Sequence, residues 1–312
     1  MVKSADEKTG QLRWGVKRRM EFIEFRLFWD GGINRSDLVD AFAVSAPQAS
    51  NDLTDYKGNA SENIEYDLSA KRYTVSASFN PLFAEPNADK YLSQLKQIAD
   101  NSLQPEDTWL SFVPDVYSVP VPHRRVDPRI LKNLVHAIKN KQAIDIVYHS
   151  MNKDQKAPAW RQISPHAFGC DGLRWHIRAF CHKDNRFKDF ILSRILDVGS
   201  FYTSDAHAEQ DNMWNETIDV VLVPNPGLSE DKRSLIAMDY GMEDSTLIVS
   251  VRKAMLSYFQ TMLRLDLAES AKNPQSAPLS IKNKAEFDKG YAEANAGFIK
   301  ARASTNEERE KQ

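Results

Sequence analysis

Between Ile33 and Tyr73 the apolar positions change period twice, and the changes mark out four short elements. Leu38, Val39 and Phe42 recur at helical spacing after Asn34, and Ala49, Leu53 and Tyr56 do so after Ser45. Asn34 and Ser45 can each accept hydrogen bonds from orphan backbone N–H groups, so both read as helix N-caps. Gln48, three residues past Ser45, completes a capping box, and Pro47 falls in the first turn, where its missing N–H costs nothing. With the apolar residues facing inward, Gln48, Ser50, Asn51, Thr54 and Lys57 are left outside. The following IEYDLSAKRYTV alternates apolar and polar residues around a small turn at Ser69 and Ala70, which predicts a two-stranded wing with Lys71 and Arg72 near its tip. Helix, turn, helix and wing in that order predict a winged helix-turn-helix over residues 1–85.

Upstream, Trp14, Met20, Ile23, Leu27 and Phe28 repeat at helical spacing until Gly31 and Gly32, which predicts a platform helix from Gln11 to Trp29. The outer face of the second short helix is polar and made of groups that both donate and accept. That is what contact with base edges in a major groove requires. The candidate DNA contacts are therefore Ser45, Gln48, Ser50, Asn51, Thr54 and Lys57, with Arg13, Lys17, Arg35, Lys71 and Arg72 around them for the phosphates. A capped polar face that is merely solvated is the competing reading, and it applies equally to the charged end of the platform helix at Arg13, Lys17 and Arg18.

Beyond the wing, 87–101 reads as another helix, and Pro105, Pro114, Pro120, Pro122 and Pro128 then exclude a regular helix interior or central strand. Residues 86–127 are taken as a helical and Pro-rich linker. Asp127 and Pro128 start a helix ending near Lys141, after which the period shortens to two over 143–150, 160–168, 173–181 and 187–194, with CDG and DNR as turns. These runs predict a small, strongly bent antiparallel sheet or open barrel within 128–205. The last third reads as strand, Ser229-capped helix, strand and helix over 206–285, an α+β layer such as a ferredoxin-like half. Tyr258, Phe259, Met262 and Leu263 at helical spacing suit a core or a dimer interface. Past Asn273 the chain turns polar, and 286–312, ending in ASTNEEREKQ, reads as a frayed tail.

Composition narrows the classes. At 312 residues two or three domains are expected. No stretch has the apolar length of a membrane span, and MVKSADEKTG lacks a signal-peptide core, so a cytoplasmic protein without membrane partners is expected. Cys170 and Cys181 are too few for a zinc site or a disulfide framework, and Cys181 falls at an inward strand position. The net charge of −2 hides an asymmetry: residues 121–200 hold 15 Lys+Arg against 7 Asp+Glu, while 1–120 and 201–312 each hold 13 against 18. The basic excess in the middle suits an anionic ligand. No cofactor motif is present, with no phosphate-cradling glycine loop, HExxH or nucleophile elbow.

The run LRWHIRAFC is the most informative of the strands. Alternation puts Leu173, Trp175, Ile177, Ala179 and Cys181 on a core face and Arg174, His176, Arg178 and Phe180 on the other. Two arginines, a histidine and an aromatic can stack a ring and pair with phosphate or carboxylate. An ordinary solvent-exposed sheet face is the alternative.

LRWHIRAFC followed by FKDFILSRI resembles the motif of the WYL-domain regulators, with Trp175, His176 and Ile177 at the signature positions. RWGVKRRMEFIEFRLFWDGGINRSDLVDAF with SAPQASNDLTDY resembles the winged-helix end of the subgroup that accompanies phage-defence operons such as BREX and CBASS. The resemblance spans nearly the whole chain. It implies an α+β multidomain protein: an N-terminal winged helix-turn-helix, a central WYL domain built as an Sm-like β-barrel, and a C-terminal α+β extension that helps hold a homodimer. It also implies autorepression of a defence locus, with the WYL surface sensing an anionic, nucleic-acid-derived signal. Carried over by position, Trp175 packs the core, and His176, Arg178 and Arg194 are ligand-surface candidates, joined through strand proximity by Tyr148, Ser150, Arg161 and His166. His176 stands where the family has Tyr, and an imidazole can gain charge near neutral pH where a phenol cannot. The expected function is a homodimeric, non-enzymatic repressor binding an inverted-repeat operator in double-stranded DNA. A single-strand or RNA binder working through the basic β-domain is one alternative. A nuclease using His149, His166, His176 and Asp145 is a weaker one.

Overall fold

The computed structural model describes residues 13–122, 124–151, 157–268 and 273–294. The N-terminal decapeptide, the predicted helix start at Gln11 and the tail 303–312 lie outside them. The chain divides between Val121 and Pro122 into two compact units.

In the first unit, α1 (Trp14–Asp30) stops at Gly31, whose φ of 69° is the left-handed conformation that glycine adopts without strain. Strand β1 (Gly32–Ile33) leads to α2 (Arg35–Phe42), where the Asn34 N–H donates to Asp37 Oδ2 at 2.6 Å. Helix α3 (Ala46–Asn59) begins with Ser45 Oγ accepting from the Gln48 N–H at 3.3 Å. The expected box is only half present, because the Gln48 side chain donates to Asp52 instead. The wing is β2 (Ile64–Asp67) and β3 (Arg72–Val75), paired with β1 in the antiparallel order β1-β3-β2. Its turn is held by Asp67 Oδ1, which accepts from the Ser69 and Ala70 N–H groups at 2.7 and 3.0 Å.

Met20, Phe22, Ile23, Leu27, Ile33, Leu38, Leu53, Tyr56 and Ile64 form the core of this unit. Trp14, expected inside, is 82% exposed, and Phe28 is 46% exposed. A buried carboxylate ties the chain after the wing to α1: Glu24 accepts from the Leu82, Phe83 and Ala84 N–H groups at 2.7–2.8 Å and from Tyr56 Oη at 3.2 Å. Burial raises the Glu24 carboxyl above its ordinary range, against the lowering effect of those four donors. Helix α4 (Ala88–Ala99), capped by Asn87, sets Tyr91 against Phe25 and Trp29. Trp109, within the Pro-rich stretch, packs edge-on against Phe22 and Phe25. The stretch therefore begins as part of the first unit.

The second unit opens with α5 (Pro128–Lys139), started by Asp127 Oδ1 accepting from the Arg129 N–H at 2.8 Å. Its Ile130, Leu134 and Ala137 pack on a five-stranded antiparallel sheet of β4 (Gln142–Tyr148), β5 (Ala159–Cys170), β6 (Trp175–Cys181), β7 (Arg186–Ile191) and β8 (Ile195–Thr203), in the order β7-β6-β5-β4-β8. No ladder joins β7 to β8 among the described residues, so the element observed is an open sheet. A short turn of helix, α6 (Asn212–Asn215), leads to β9 (Thr217–Pro224), α7 (Glu230–Asp239), β10 (Leu247–Arg252), α8 (Leu256–Met262), β11 (Leu279–Ile281) and a helix over 284–294. The three strands run antiparallel in the order β10-β9-β11. This differs from a ferredoxin-like half, because β10 returns beside β9 instead of leaving room for a strand between them. The expected polar end is also corrected: Leu279 and Phe287 are fully buried in this layer's core. Their spacing is too sparse to read as a period. Among the described residues, no helix is long and apolar enough to cross a membrane.

Candidate nucleic-acid interface and basic sheet face

On α3, Gln48, Asn51, Thr54 and Lys57 are exposed and Ser50 is half-buried, as the periodicity predicts. The helix is seated from its other side by an acid that the sequence reading passed over. Asp52 is buried between Ala49 and Leu53, where Arg19 of α1 meets it with Nε–Oδ2 at 2.6 Å and Nη2–Oδ1 at 3.1 Å. Gln48 Nε2 adds a third bond to Asp52 at 3.0 Å, which aligns one exposed side chain with the buried pair. An acid within the apolar stripe of one helix, matched by a base within that of another, was the available signal. The Thr54 hydroxyl donates to the Ser50 carbonyl at 2.9 Å.

The surrounding cations are used unequally. Arg13 and Arg35 are exposed and Lys17 is half-buried. Arg18 bonds Glu21 and lies 3.9 Å over the Trp109 ring, and Arg19 is held by Asp52. Lys71 stands at the wing tip in the left-handed region, with φ of 51°. Arg72 does not stand at the tip with it. A Cβ placed on Gly32 would come within 2.7 Å of Arg72 Nε and 2.4 Å of the Tyr73 carbonyl, so the guanidinium lies back over Gly32 and is half-buried there.

The sheet face departs from expectation in two ways. Ile177, Ala179 and Cys181 are buried, but Trp175 is 57% exposed, because β6 begins there and pairs with Cys170 beyond the core. The supposed open face is covered. His176 and Arg178 are buried beneath the connection from β8 to β9 and beneath α8. Arg178 grips Asp211 with Nε–Oδ2 at 2.7 Å and Nη2–Oδ1 at 3.1 Å, and reaches Asp189 Oδ1 at 3.3 Å. His166 Nε2 lies 3.0 Å from the same Asp211 Oδ2, and Tyr258 Oη donates to Asp189 Oδ2 at 3.2 Å. His176 Nε2 lies 3.2 Å from Asp171 Oδ2, with its ring 4.8 Å from that of Tyr258.

Electrostatics follow this packing. Burial opposes ionisation of Asp211, but the hydrogen bonds from His166 and Arg178 outweigh it and hold the carboxyl at about 2. Asp171 is likewise held at about 2, with burial outweighed by Arg174, the Leu173 N–H and His176. Burial would lower the Arg178 guanidinium, yet the two carboxylates raise it.

The structure thus brings His166, His176 and Arg178 together and separates the other candidates. Tyr148 belongs to the core, its ring 5.0 Å from Phe190 and its Oη accepting from the Ile191 N–H at 3.3 Å. Arg161 is buried beside Asp184, 3.5 Å from Oδ2. Ser150 is half-buried just past β4, and Arg194 lies against Met151 Sδ. His149 and Asp145 do not join His166 and His176. Asp145 accepts from Tyr202 Oη at 2.7 Å, and among the described residues no three acidic, histidine or cysteine side chains are grouped to hold a metal.

Winged helix, five-stranded sheet and C-terminal layer match three family models in succession: the BrxR transcriptional regulator winged helix-turn-helix domain over 15–97, the WYL domain over 129–199, and the BrxR transcriptional regulator C-terminal dimerization domain over 217–287. The class is that of WYL-domain transcriptional regulators. The DNA-binding transcriptional repressor CapW of Escherichia coli strain KTE188 is 39% identical over 278 residues, 88% of this chain and 91% of its own. CapW of Pseudomonas aeruginosa is 38% identical over 88% of this chain and 91% of its own, and CapW of Stenotrophomonas maltophilia 36% over 93% and 97%. The chain belongs to the CapW family of DNA-binding transcriptional repressors. Proteasome accessory factor B/C of Arthrobacter aurescens aligns with 92% of this chain at 15% identity and a TM-score of 0.24; the chain spans about half of it, 48%.

Proposed function

We propose that this protein represses transcription as a homodimer, placing two copies of α3 in successive major grooves of an inverted repeat upstream of its own phage-defence operon. The observation that carries the reading is the outer face of α3. Asn51 and Lys57 make no side-chain hydrogen bond among the described residues, while Asp52 fixes the helix from behind. An unpaired amide on a rigidly seated helix is prepared to bond a base edge without first losing an internal partner. Residues 217–287 supply the contact between copies, and two-fold pairing sets the half-sites whole helical turns apart, about 34–36 Å each. The basic face around Arg178 receives the anionic signal that changes operator affinity.

Footprinting upstream of the gene, followed by mobility shifts on the protected duplex, tests this reading. Asn51→Ala should cost about 1–3 kcal/mol on the operator and relax specificity at one base position, while leaving random duplex binding unchanged. Equal losses on both duplexes would remove Asn51 from base readout.

A further inference from the structure

The basic face of β6 already holds an anion, and that anion is one of the protein's own side chains. Arg178 meets Asp211 through two parallel N–H···O bonds, and His166 closes on the same carboxylate oxygen. A guanidinium presents this fork to a phosphate as readily as to a carboxylate. His166 reaches the site from a bulge in β5, where the register slips between Pro165 and Ala167 and re-aims the extra side chain. Asp211 belongs to no strand. It lies in the connection between β8 and β9, and its Oδ1 also accepts from the Trp214 N–H at 3.2 Å, starting the α6 turn.

That connection is pinned at its two ends, where Ser204 Oγ donates to Ser164 Oγ at 2.6 Å and the Lys253 N–H donates to the Glu216 carbonyl at 3.0 Å. Between them Asp211 is joined by Arg252, which donates to the Trp214 carbonyl. Neither the 208–210 turn nor α6 contributes a buried residue, and Trp214 is only half-buried, between His166 and Arg252. Asp211 itself is 1% exposed. Beside His166 lies a cavity of about 130 Å³ whose lining mixes Lys141, Ser164 and His207 with Ile138, Pro165 and Glu209.

Building on the reading of this face as a sensor, we propose that Asp211 is an internal occupant of the anion seat, and that a phosphate-bearing ligand acts by displacing it and releasing the 208–215 turn. The released turn runs directly into β9 at Thr217, so the exchange is felt at the start of the C-terminal layer. The device also sets the ligand class. A tethered carboxylate competes at high effective concentration, so a monoanion that merely matches it leaves the seat closed. A phosphate group brings more charge and three acceptor oxygens, enough to take the Arg178 fork and the His166 N–H together. Asp189, still facing Arg178, keeps the guanidinium paired during the exchange and raises the threshold for any incoming anion.

The test is calorimetric titration of the full-length protein with inorganic pyrophosphate, comparing the native chain with Asp211→Asn and Asp211→Ala. Asp211→Asn is isosteric and keeps an oxygen for the Trp214 N–H, so it carries the comparison if Asp211→Ala fails to fold. Removing the internal charge should tighten pyrophosphate binding by about tenfold or more, and adding Arg178→Gln should abolish the gain. Proteolysis within 205–216 should quicken in Asp211→Asn when pyrophosphate is present. Folded variants that bind pyrophosphate no tighter than the native chain would overturn the proposal. A gain in binding with no change in operator affinity would support the internal occupant and overturn the sensor reading on which it builds.

Discussion

Helix α3 and strand β6 carry the same kind of pattern, an apolar side and a polar side, and they end in opposite situations. The polar side of α3 is open, with Asn51 and Lys57 exposed. The polar side of β6 is a second interior, because Asp211 and Tyr258, distant in sequence, fold over Arg178 and His176. Periodicity divides an element into sides, but it does not say which side meets water. A sheet can be covered on both faces, and charged side chains are then tolerated only if carboxylates arrive with the cover. The basic excess of residues 121–200 is answered in part by acids of its own sheet and in part by Asp211 from outside it.

The largest effect expected from this comparison lies beneath the open face. Asp52→Ala leaves Arg19 largely buried without its carboxylate, which should cost about 3–5 kcal/mol of stability in the first unit. Denaturant unfolding of the full chain reads this as a lower midpoint for the transition that reports on Trp109, and operator affinity should fall with it. An unchanged midpoint would mean that α3 is seated by its apolar residues alone.

A second effect belongs to the closed face and depends on pH. The folded Asp211 carboxyl sits at about 2, below its ordinary value of 3.8, so the native state binds fewer protons than the unfolded chain between those values. The stabilisation is therefore complete above about pH 4 and lost as pH falls toward 2, amounting to roughly 2 kcal/mol for this carboxylate. Asp171 is held equally low and adds in the same direction. Urea midpoints measured between pH 4 and pH 2 should fall steeply for the native chain and less steeply for Asp211→Asn. Equal slopes would separate Asp211 from the acid response.

Local chemistry explains how much of this was legible. The caps at Asn34, Ser45 and Asp127 each mark a helix that is present, because capping is decided within one turn of chain. Four of the five strands of the middle sheet follow from period and turn residues together, while β8, entered through a tight turn at Leu192–Arg194, lies past the last marked run. What escaped depends on distant partners. Trp175 shares its parity with Ile177, yet lies beyond the point where α5 covers the sheet. Tyr148, a surface candidate by strand proximity alone, packs on Phe190. Glu24, Asp52 and Asp211 are buried acids that position the rest, and each depends on at least one donor 30 or more residues away, which no local pattern identifies. The layer built from Leu279 and Phe287 escaped because β11 is three residues long, too short for alternation to show.

The smallest effect sharpens the comparison within the wing itself, between two neighbouring cations of opposite fate. Lys71 is exposed at the tip, so Lys71→Ala should weaken operator and random duplex alike and reduce the slope of log affinity against log salt by about one, as loss of a single phosphate contact does. Arg72 lies over Gly32, where its Nε is buried. Arg72→Ala should therefore loosen the packing of β3 on β1 and lower thermal stability while leaving the salt slope nearly unchanged. If instead Arg72→Ala flattens the salt dependence as much as Lys71→Ala, the guanidinium swings out to meet the phosphates, and the wing is an open surface at both positions.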